Sequence, residues 1–80
     1  MINNFQIAQL IRFHRKQAGL SRNALAELAG VGKTAVYDLE HAKISVQFDT
    51  LLKVFQVLNI QLEFQSPLME LFRKEGHAKG

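Results

Sequence analysis

The sequence predicts a mainly α domain of four to five helices that ends in a single β-strand. Over most of residues 5–58, apolar residues recur at three- and four-residue steps, which is the period of an amphipathic helix. Glycines and capping residues interrupt this pattern, so the helices are short. From residue 60 the period changes to two, which is typical of a strand.

The length of the chain limits how stable it can be alone. A domain of 80 residues buries roughly 60–65% of the surface that its unfolded chain exposes, so a monomer would be marginally stable. The chain is 48% apolar, which suffices for a packed core and excludes a disordered chain. It contains no cysteine, so neither disulfides nor thiol chemistry can add stability. We therefore expect oligomerisation to supply the rest.

The net charge of +3 is unevenly distributed along the chain. Residues 1–45 carry six basic and three acidic side chains, whereas residues 46–80 carry four of each. The excess lies in the first half and favours an anionic partner there. The N-terminus lacks the basic and apolar runs of a signal peptide, and no stretch approaches a membrane span. We expect a cytoplasmic protein that does not contact a membrane.

The first helix is predicted over residues 5–18, with Asn3 or Asn4 as its N-cap. Arg15 lies on the apolar face of this helix. An unpaired buried charge is costly, so we expect Arg15 to form an ion pair with Glu40. The alternative is that its side chain extends to solvent or to a phosphate.

Residues 21–40 predict two short helices joined by a tight turn. Ser21 is a good N-cap for the first of them. Gly30 can end that helix because a left-handed backbone costs glycine almost nothing. Gly32 can start the second helix. Two helices in this arrangement form a helix-turn-helix motif.

In such a motif, the first residues of the second helix face base edges in the DNA major groove. Lysine can donate to guanine, threonine can contact a base or a thymine methyl group, and aspartate can accept from cytosine. Basic residues and exposed amides near helix N-termini can bind phosphates. The alternative for each charged residue is an ordinary solvated position. The predicted base-reading residues are Lys33, Thr34, Tyr37 and Asp38, and the predicted phosphate-binding residues are Ser21, Arg22, Gly32, His41 and Lys43.

A fourth helix is predicted over residues 48–58, with Asn59 closing it in the left-handed conformation. In the strand that follows, Ile60, Leu62 and Phe64 point to one side. The chain offers no second strand, and an unpaired strand edge invites another chain. We therefore predict an antiparallel ribbon formed with the same strand of a second copy in a homodimer. The alternative is an irregular tail that packs on its own monomer.

The C-terminal segment contains a further apolar cluster after Pro67. Its residues are helically spaced, but the segment is too short to fold alone. It can dock on the dimer or in a partner protein, and the exposed aromatic Phe13 on the first helix is a second contact candidate. We expect Gly76–Gly80 to be disordered. The candidate partner-contact residues are Phe13, Leu68, Leu71 and Phe72.

Residues 5–58 resemble the Xre/Cro/lambda-repressor type of helix-turn-helix domain. The matching residues are Ile11, Arg15, Gly19-Leu20-Ser21, Leu25-Ala26, Gly30-Val31, Val36, Leu39-Glu40, Lys43 and Leu51-Leu52. The resemblance also implies the Arg15–Glu40 ion pair. Ala42 departs from the family, which usually has glycine there, so either the helix ends differently or Ala42 has a strained backbone. The extension at residues 59–64 is similar to the strand that closes HipB-like antitoxins.

The resemblance implies a homodimeric, lambda-repressor-like DNA-binding domain over residues 1–65, with a dimerising strand at 59–65 and a short apolar segment and tail at 66–80. Its function would be that of a transcriptional regulator that binds double-stranded DNA at a palindromic operator. The HipB-like ending suggests an antitoxin that represses its own operon and binds a HipA-like kinase toxin. The alternatives are a plain Xre or phage-type repressor, and a protein-interaction adaptor that has lost DNA binding.

Catalysis is not predicted. The chain has no glycine-rich phosphate loop of the required spacing, and no carboxylate pair or nucleophile–base arrangement distinguishable from surface residues. The hydroxyl of Ser21 is better explained as a helix cap. The three histidines have no metal-site spacing, so we expect neither a metal nor another cofactor.

Overall fold

The computed structural model describes residues 3–43 and 45–76. Within these ranges the chain forms five helices and no β-strand. The helices are α1 (Asn4–Gln17), α2 (Arg22–Ala29), α3 (Lys33–Glu40), α4 (Phe48–Val57) and α5 (Met69–Lys74). The prediction of a mainly α fold with four to five helices is therefore confirmed. The disorder predicted at the C-terminus falls on residues that, except for Gly76, lie outside the described ranges.

The first two helices begin at side-chain caps. Asn3 Oδ1 accepts from the Gln6 amide and Gln6 Oε1 accepts from the Asn3 amide, both at 2.9 Å, which is a capping box. Ser21 Oγ accepts from the Ala24 amide at 3.0 Å. These bonds satisfy amides that would otherwise have no partner at a helix start. They fix the start of α1 one residue earlier than predicted and place Arg22 at the first position of α2.

Helices α1 to α4 all end in the same way. A residue with positive φ follows each helix, and the next amide donates to the carbonyl five residues earlier at 2.9–3.1 Å, as in a Schellman motif. The four positive-φ residues are Gly19, Gly30, Ala42 and Asn59. At Ala42 (φ 60°), the strained backbone is the alternative that the structure adopts. The left-handed conformation costs an alanine about 1–2 kcal/mol.

Helices α1 to α4 enclose the core. Each contributes one completely buried side chain, and these are Ile11, Leu25, Val36 and Val54. Helix α3 packs against α1, α2 and α4, and α2 also packs against α4. This packing fixes the N-termini of α2 and α3 relative to each other. None of the helices in the described ranges is long and apolar enough to cross a bilayer.

The predicted strand does not form in the single chain. Ile60 packs partly against the core, but Leu62 is 41% exposed and Phe64 is 65% exposed. The backbone amides and carbonyls of residues 61–65 make no hydrogen bond within the part that the structure describes. A strand requires a neighbouring strand for these groups, and one copy of the chain supplies none. Ribbon pairing across a dimer therefore remains a prediction.

Candidate nucleic-acid interface

The N-termini of α2 and α3 open onto one shallow cleft of about 610 Å³, which we call the α2–α3 cleft. Its position follows from the helix-turn-helix packing, because the short turn after Gly30 brings both helix starts to the same side of the domain. Its lining residues are Arg15, Ser21, Arg22, Asn23, Lys33, Thr34 and Tyr37.

Basic residues occupy the first position of both helices at this cleft. Arg22 begins α2 and Lys33 begins α3, and neither helix has an acidic residue in its first turn. The N-terminal end of a helix carries a partial positive charge, so a basic side chain there is unfavourable in the free protein. The same arrangement attracts an anion, which receives amide donors and side-chain charges together. The α2–α3 cleft is therefore suited to a phosphate.

Glu40 connects three elements beneath the cleft. Its side chain has no exposed surface, and it accepts from Arg15 through Nε and, at 3.0 Å, through Nη2. It also accepts from Arg22 Nε at 3.1 Å. Burial raises the pKa of the Glu40 carboxyl, but the hydrogen bonds and charges of the two arginines outweigh this effect and hold it below its ordinary value.

The predicted Arg15–Glu40 ion pair is present, and Arg15 is fully engaged in it. Its remaining amino group, Nη1, donates to the Leu20 carbonyl at 2.9 Å. The side chain is 9% exposed, so the alternative in which it extends to solvent is not adopted. Arg15 therefore ties α1 to α3 and to the loop before α2.

Tyr37 is held at the edge of the cleft by its neighbours. Its ring stacks on the His41 ring with 3.8 Å between centroids. The Arg22 guanidinium carbon lies 5.7 Å from the Tyr37 ring centre, which is within the range of a cation–π contact. His41 Nδ1 lies 2.7 Å from the Tyr37 carbonyl oxygen, which can only accept, so this nitrogen carries the hydrogen.

The cleft brings together five of the nine predicted DNA-contact residues. Asp38 is not among the lining residues; it is half-buried and lies 3.8 Å from Lys43 Nζ. Lys43 itself stays largely exposed. His41 lines a separate depression beside α1, and Gly32 serves as the N-cap of α3. The five residues gathered at the cleft are Ser21, Arg22, Lys33, Thr34 and Tyr37.

Two features of the cleft were missed at the level of sequence. Asn23 lines it, and Arg22 pairs with Glu40. The first could have been inferred from position, since Asn23 lies in the first turn of α2. The second has no local pattern, because the two residues are 18 positions apart and meet only after α2 packs on α3.

The predicted partner-contact residues do not form a single surface. Leu68, Leu71 and Phe72 join Phe64 in an apolar groove of about 800 Å³, which we call the tail groove. All four are more than half exposed. Phe13 lies elsewhere on α1, is 60% exposed, and makes an edge contact with the His14 ring. The described part of the C-terminal segment, residues 66–76, therefore does not cover it.

Comparisons with known proteins match these observations. The helix-turn-helix family model HTH_3 matches residues 11–65. The uncharacterised HTH-type transcriptional regulator y4mF of Sinorhizobium fredii is 36% identical over 61 residues, which are 76% of this chain and 80% of that protein. Among solved structures, a HipB–O4 20mer complex superposes with a TM-score of 0.73 and a HipA–HipB–O2–O3 complex with 0.74. Each matches 84% of this chain and 94% of the other chain at 19% identity, a level that shows a shared fold.

Proposed function

This chain belongs to the helix-turn-helix family of Xre-type transcriptional regulators, and on that premise we propose that it binds a palindromic operator as a homodimer through its α2–α3 cleft. In this proposal Lys33 and Thr34 read bases, while Arg22 and Ser21 bind the DNA backbone. The protein acts as a repressor when its operator overlaps a promoter.

One observation carries this proposal: two helix N-termini, each beginning with a basic residue, meet at the same open cleft. A single such terminus would be weak support. Within the described part of the chain, the side chains of Lys33 and Thr34 also make no hydrogen bond or ion pair. They are therefore free to donate to base edges when α3 enters the major groove.

The homodimer is supported by the state of the segment after α4. Within the described ranges, the backbone hydrogen-bonding groups of residues 61–65 are unpaired, and the apolar side chains of Leu62 and Phe64 are exposed. Pairing with the same segment of a second copy satisfies both at once, because an isologous contact about a two-fold axis presents identical edges to each other. The two α3 helices then face successive turns of the duplex, which accounts for a palindromic site.

The narrower proposal is an antitoxin. The fold is shared with HipB, which has been solved in a complex with an O4 20mer and in a HipA–HipB–O2–O3 complex. The exposed tail groove offers a surface on which a HipA-like kinase could dock. A plain repressor, the alternative, would need no such partner. Pull-down of the full chain beside a copy truncated after Gln65 separates the two, since a kinase lost on truncation supports the antitoxin, and recovery of DNA without a protein contradicts it.

Two sequence features favour the adaptor alternative: the acidic Asp38 on the predicted reading face, and alanine in place of the loop glycine at residue 42. The acidic charge of Asp38 lies close to Lys43. Ala42 adopts the left-handed backbone that a glycine would adopt there, so the loop keeps its path despite the substitution. Neither feature now argues against DNA binding.

The test of base reading is Lys33→Ala. At a duplex enriched from a random pool, loss of one good base contact is expected to cost about 1–3 kcal/mol and to relax the preference at one position. Lys53→Ala is the matched control, because it removes the same charge from the exposed side of α4. Equal affinity of the two variants, measured by fluorescence anisotropy, would exclude Lys33 from base reading.

A further inference from the structure

Arg22 is held on two sides before any DNA is bound. Its Nε donates to Glu40 Oε1 at 3.1 Å, and its guanidinium carbon lies 5.7 Å from the centre of the Tyr37 ring. The Glu40 carboxylate is completely buried, whereas the Arg22 side chain is 40% exposed. The buried Glu40 carboxylate at the end of α3 thus orients the Arg22 guanidinium at the start of α2.

These contacts leave the outer edge of the Arg22 guanidinium unused. Within the described residues, its two amino groups Nη1 and Nη2 form no hydrogen bond, and the side chain lines the α2–α3 cleft. A guanidinium binds a phosphate most strongly through two parallel N–H donors. A planar group whose orientation is already fixed also loses less conformational freedom on binding.

The Tyr37 ring is itself fixed, so it can serve as a rigid support. It stacks on His41 at 3.8 Å with 19° between the ring planes, and His41 donates to the Tyr37 carbonyl. Turning the Tyr37 ring toward a base would break this stack and the contact with Arg22. The geometry favours a supporting role over the base-reading role that the sequence suggested for this residue.

We propose that Glu40 is a positioning residue for DNA binding, which with the Tyr37 ring presets the Arg22 guanidinium to clamp one backbone phosphate. Glu40 does not touch the DNA; it acts through Arg22. The proposal rests on the proposed DNA-binding function and adds to it a residue that would otherwise be counted only as half of a core ion pair.

The direction in which Glu40→Gln changes the affinity for DNA separates this role from general electrostatics. A negative charge near DNA opposes binding, so removing it should strengthen binding unless the charge does something else. Glu40→Gln removes the charge and weakens the hold on Arg22. If Glu40 positions Arg22, the variant binds DNA more weakly despite its higher net charge. Glu27→Gln is the matched control, since it removes an exposed charge from α2 without touching Arg22.

The probe is a short labelled duplex of arbitrary sequence, because a phosphate contact does not depend on base sequence. Affinity is measured by anisotropy between about 50 and 200 mM salt. Arg22→Ala and Glu40→Gln are each expected to weaken binding roughly tenfold at low salt and to flatten the slope of log K against log salt by about 0.9 per bound chain. Glu27→Gln is expected to bind at least as tightly as the wild type.

The double variant Arg22→Ala with Glu40→Gln tests whether the two residues act as a unit. It is expected to bind no more weakly than Arg22→Ala alone. If the two losses multiply, or if Glu40→Gln binds with wild-type or higher affinity, the positioning role is overturned. Circular dichroism at the assay temperature establishes that each variant is folded.

A second pair of variants tests the clamp if Glu40→Gln does not fold. Tyr37→Phe keeps the aromatic ring beside Arg22, whereas Tyr37→Leu removes it. The clamp predicts a larger loss of affinity and of salt slope for Tyr37→Leu. Equal losses in both variants would mean that the hydroxyl, and not the ring, matters, and would overturn the clamp.

A wild-type chain that fails to bind duplex DNA at low salt would instead overturn DNA binding itself.

Discussion

At the scale of single residues, Glu40 has a fully buried carboxylate that accepts three hydrogen bonds from two arginines. Its buried carboxylate is stable only because Arg15 and Arg22 supply charge and hydrogen bonds. Removing a partner of such a group leaves an uncompensated buried charge, which typically costs about 3–5 kcal/mol. The same residue therefore determines part of the stability of the fold and, in our proposal, the orientation of a DNA contact.

Glu40 also makes stability depend on acid pH. Its pKa is lowered in the folded chain, so the stabilisation is complete above the ordinary value of 4.5 and is lost as the pH falls through the folded pKa. We expect the free energy of unfolding, measured in urea, to decline below about pH 4.5 for this reason. Glu40→Gln should be less stable at neutral pH and should lack this part of the decline, whereas Glu63→Gln, at an exposed position, should follow the wild type. A wild-type profile in Glu40→Gln would contradict the assignment.

Sequence reasoning reached some of these residues and not others. The Arg15–Glu40 pair could be predicted because a basic side chain on an apolar helix face needs an acidic partner. The family resemblance implies the same pair. The Arg22–Glu40 bond could not be predicted, because it depends on how the start of α2 meets the end of α3. Asp38 lies 3.8 Å from Lys43 Nζ and outside the cleft lining, and its role in base reading stays a prediction.

At the scale of the elements, the helix ends are the most regular feature. Four successive helices close with one left-handed residue and one hydrogen bond spanning five positions. Glycine at residues 19 and 30 and asparagine at residue 59 are easily recognised from sequence as helix stops. At Ala42 only the departure from the family pattern indicates a special conformation, since nothing local marks an alanine as left-handed.

Ala42→Gly is expected to stabilise the domain. Glycine removes the left-handed strain of about 1–2 kcal/mol. It also raises the conformational entropy of the unfolded chain, which favours unfolding by about 0.4–1 kcal/mol, so the free energy of unfolding should increase by about 0.5–1 kcal/mol. For a domain of this size, such a gain raises Tm by a few degrees, about 3–6 °C, in a thermal melt. Ala35→Gly, inside α3, is the control and should lower Tm, because glycine in a helix interior is unfavourable. A lower Tm for Ala42→Gly would show that residue 42 is not strained.

At the scale of the whole molecule, the segment after α4 is less completely packed than the four helices before it. Helices α1 to α4 have a closed core, but in the part of the chain that the structure describes the backbone groups of residues 61–65 are unpaired and the side chains of Leu62 and Phe64 are exposed. The change in sequence period at residue 60 predicts a strand, and the described part of a single chain offers it no neighbouring strand. In our proposal, that neighbour belongs to a second copy. The sequence can thus predict a strand without supplying the geometry of its pairing.

Leu62→Asp tests the dimer. A charge at the centre of the proposed ribbon should convert the protein into a monomer in analytical ultracentrifugation and should weaken operator binding. Gln61→Asp is the matched control, because the neighbouring side chain points to the other face of a strand and can remain in solvent. A Leu62→Asp protein that stays dimeric would exclude the ribbon as the main support of the dimer.

The most direct test of DNA recognition by the α2–α3 cleft is selection of duplexes from a random pool by the wild-type protein, followed by sequencing. We predict enrichment of a palindrome whose half-sites lie about 10 base pairs apart, centre to centre, or a multiple of that distance. The affinity for the enriched duplex should fall steeply with salt. A pool that remains random after selection would contradict the account, as would a site without two-fold symmetry.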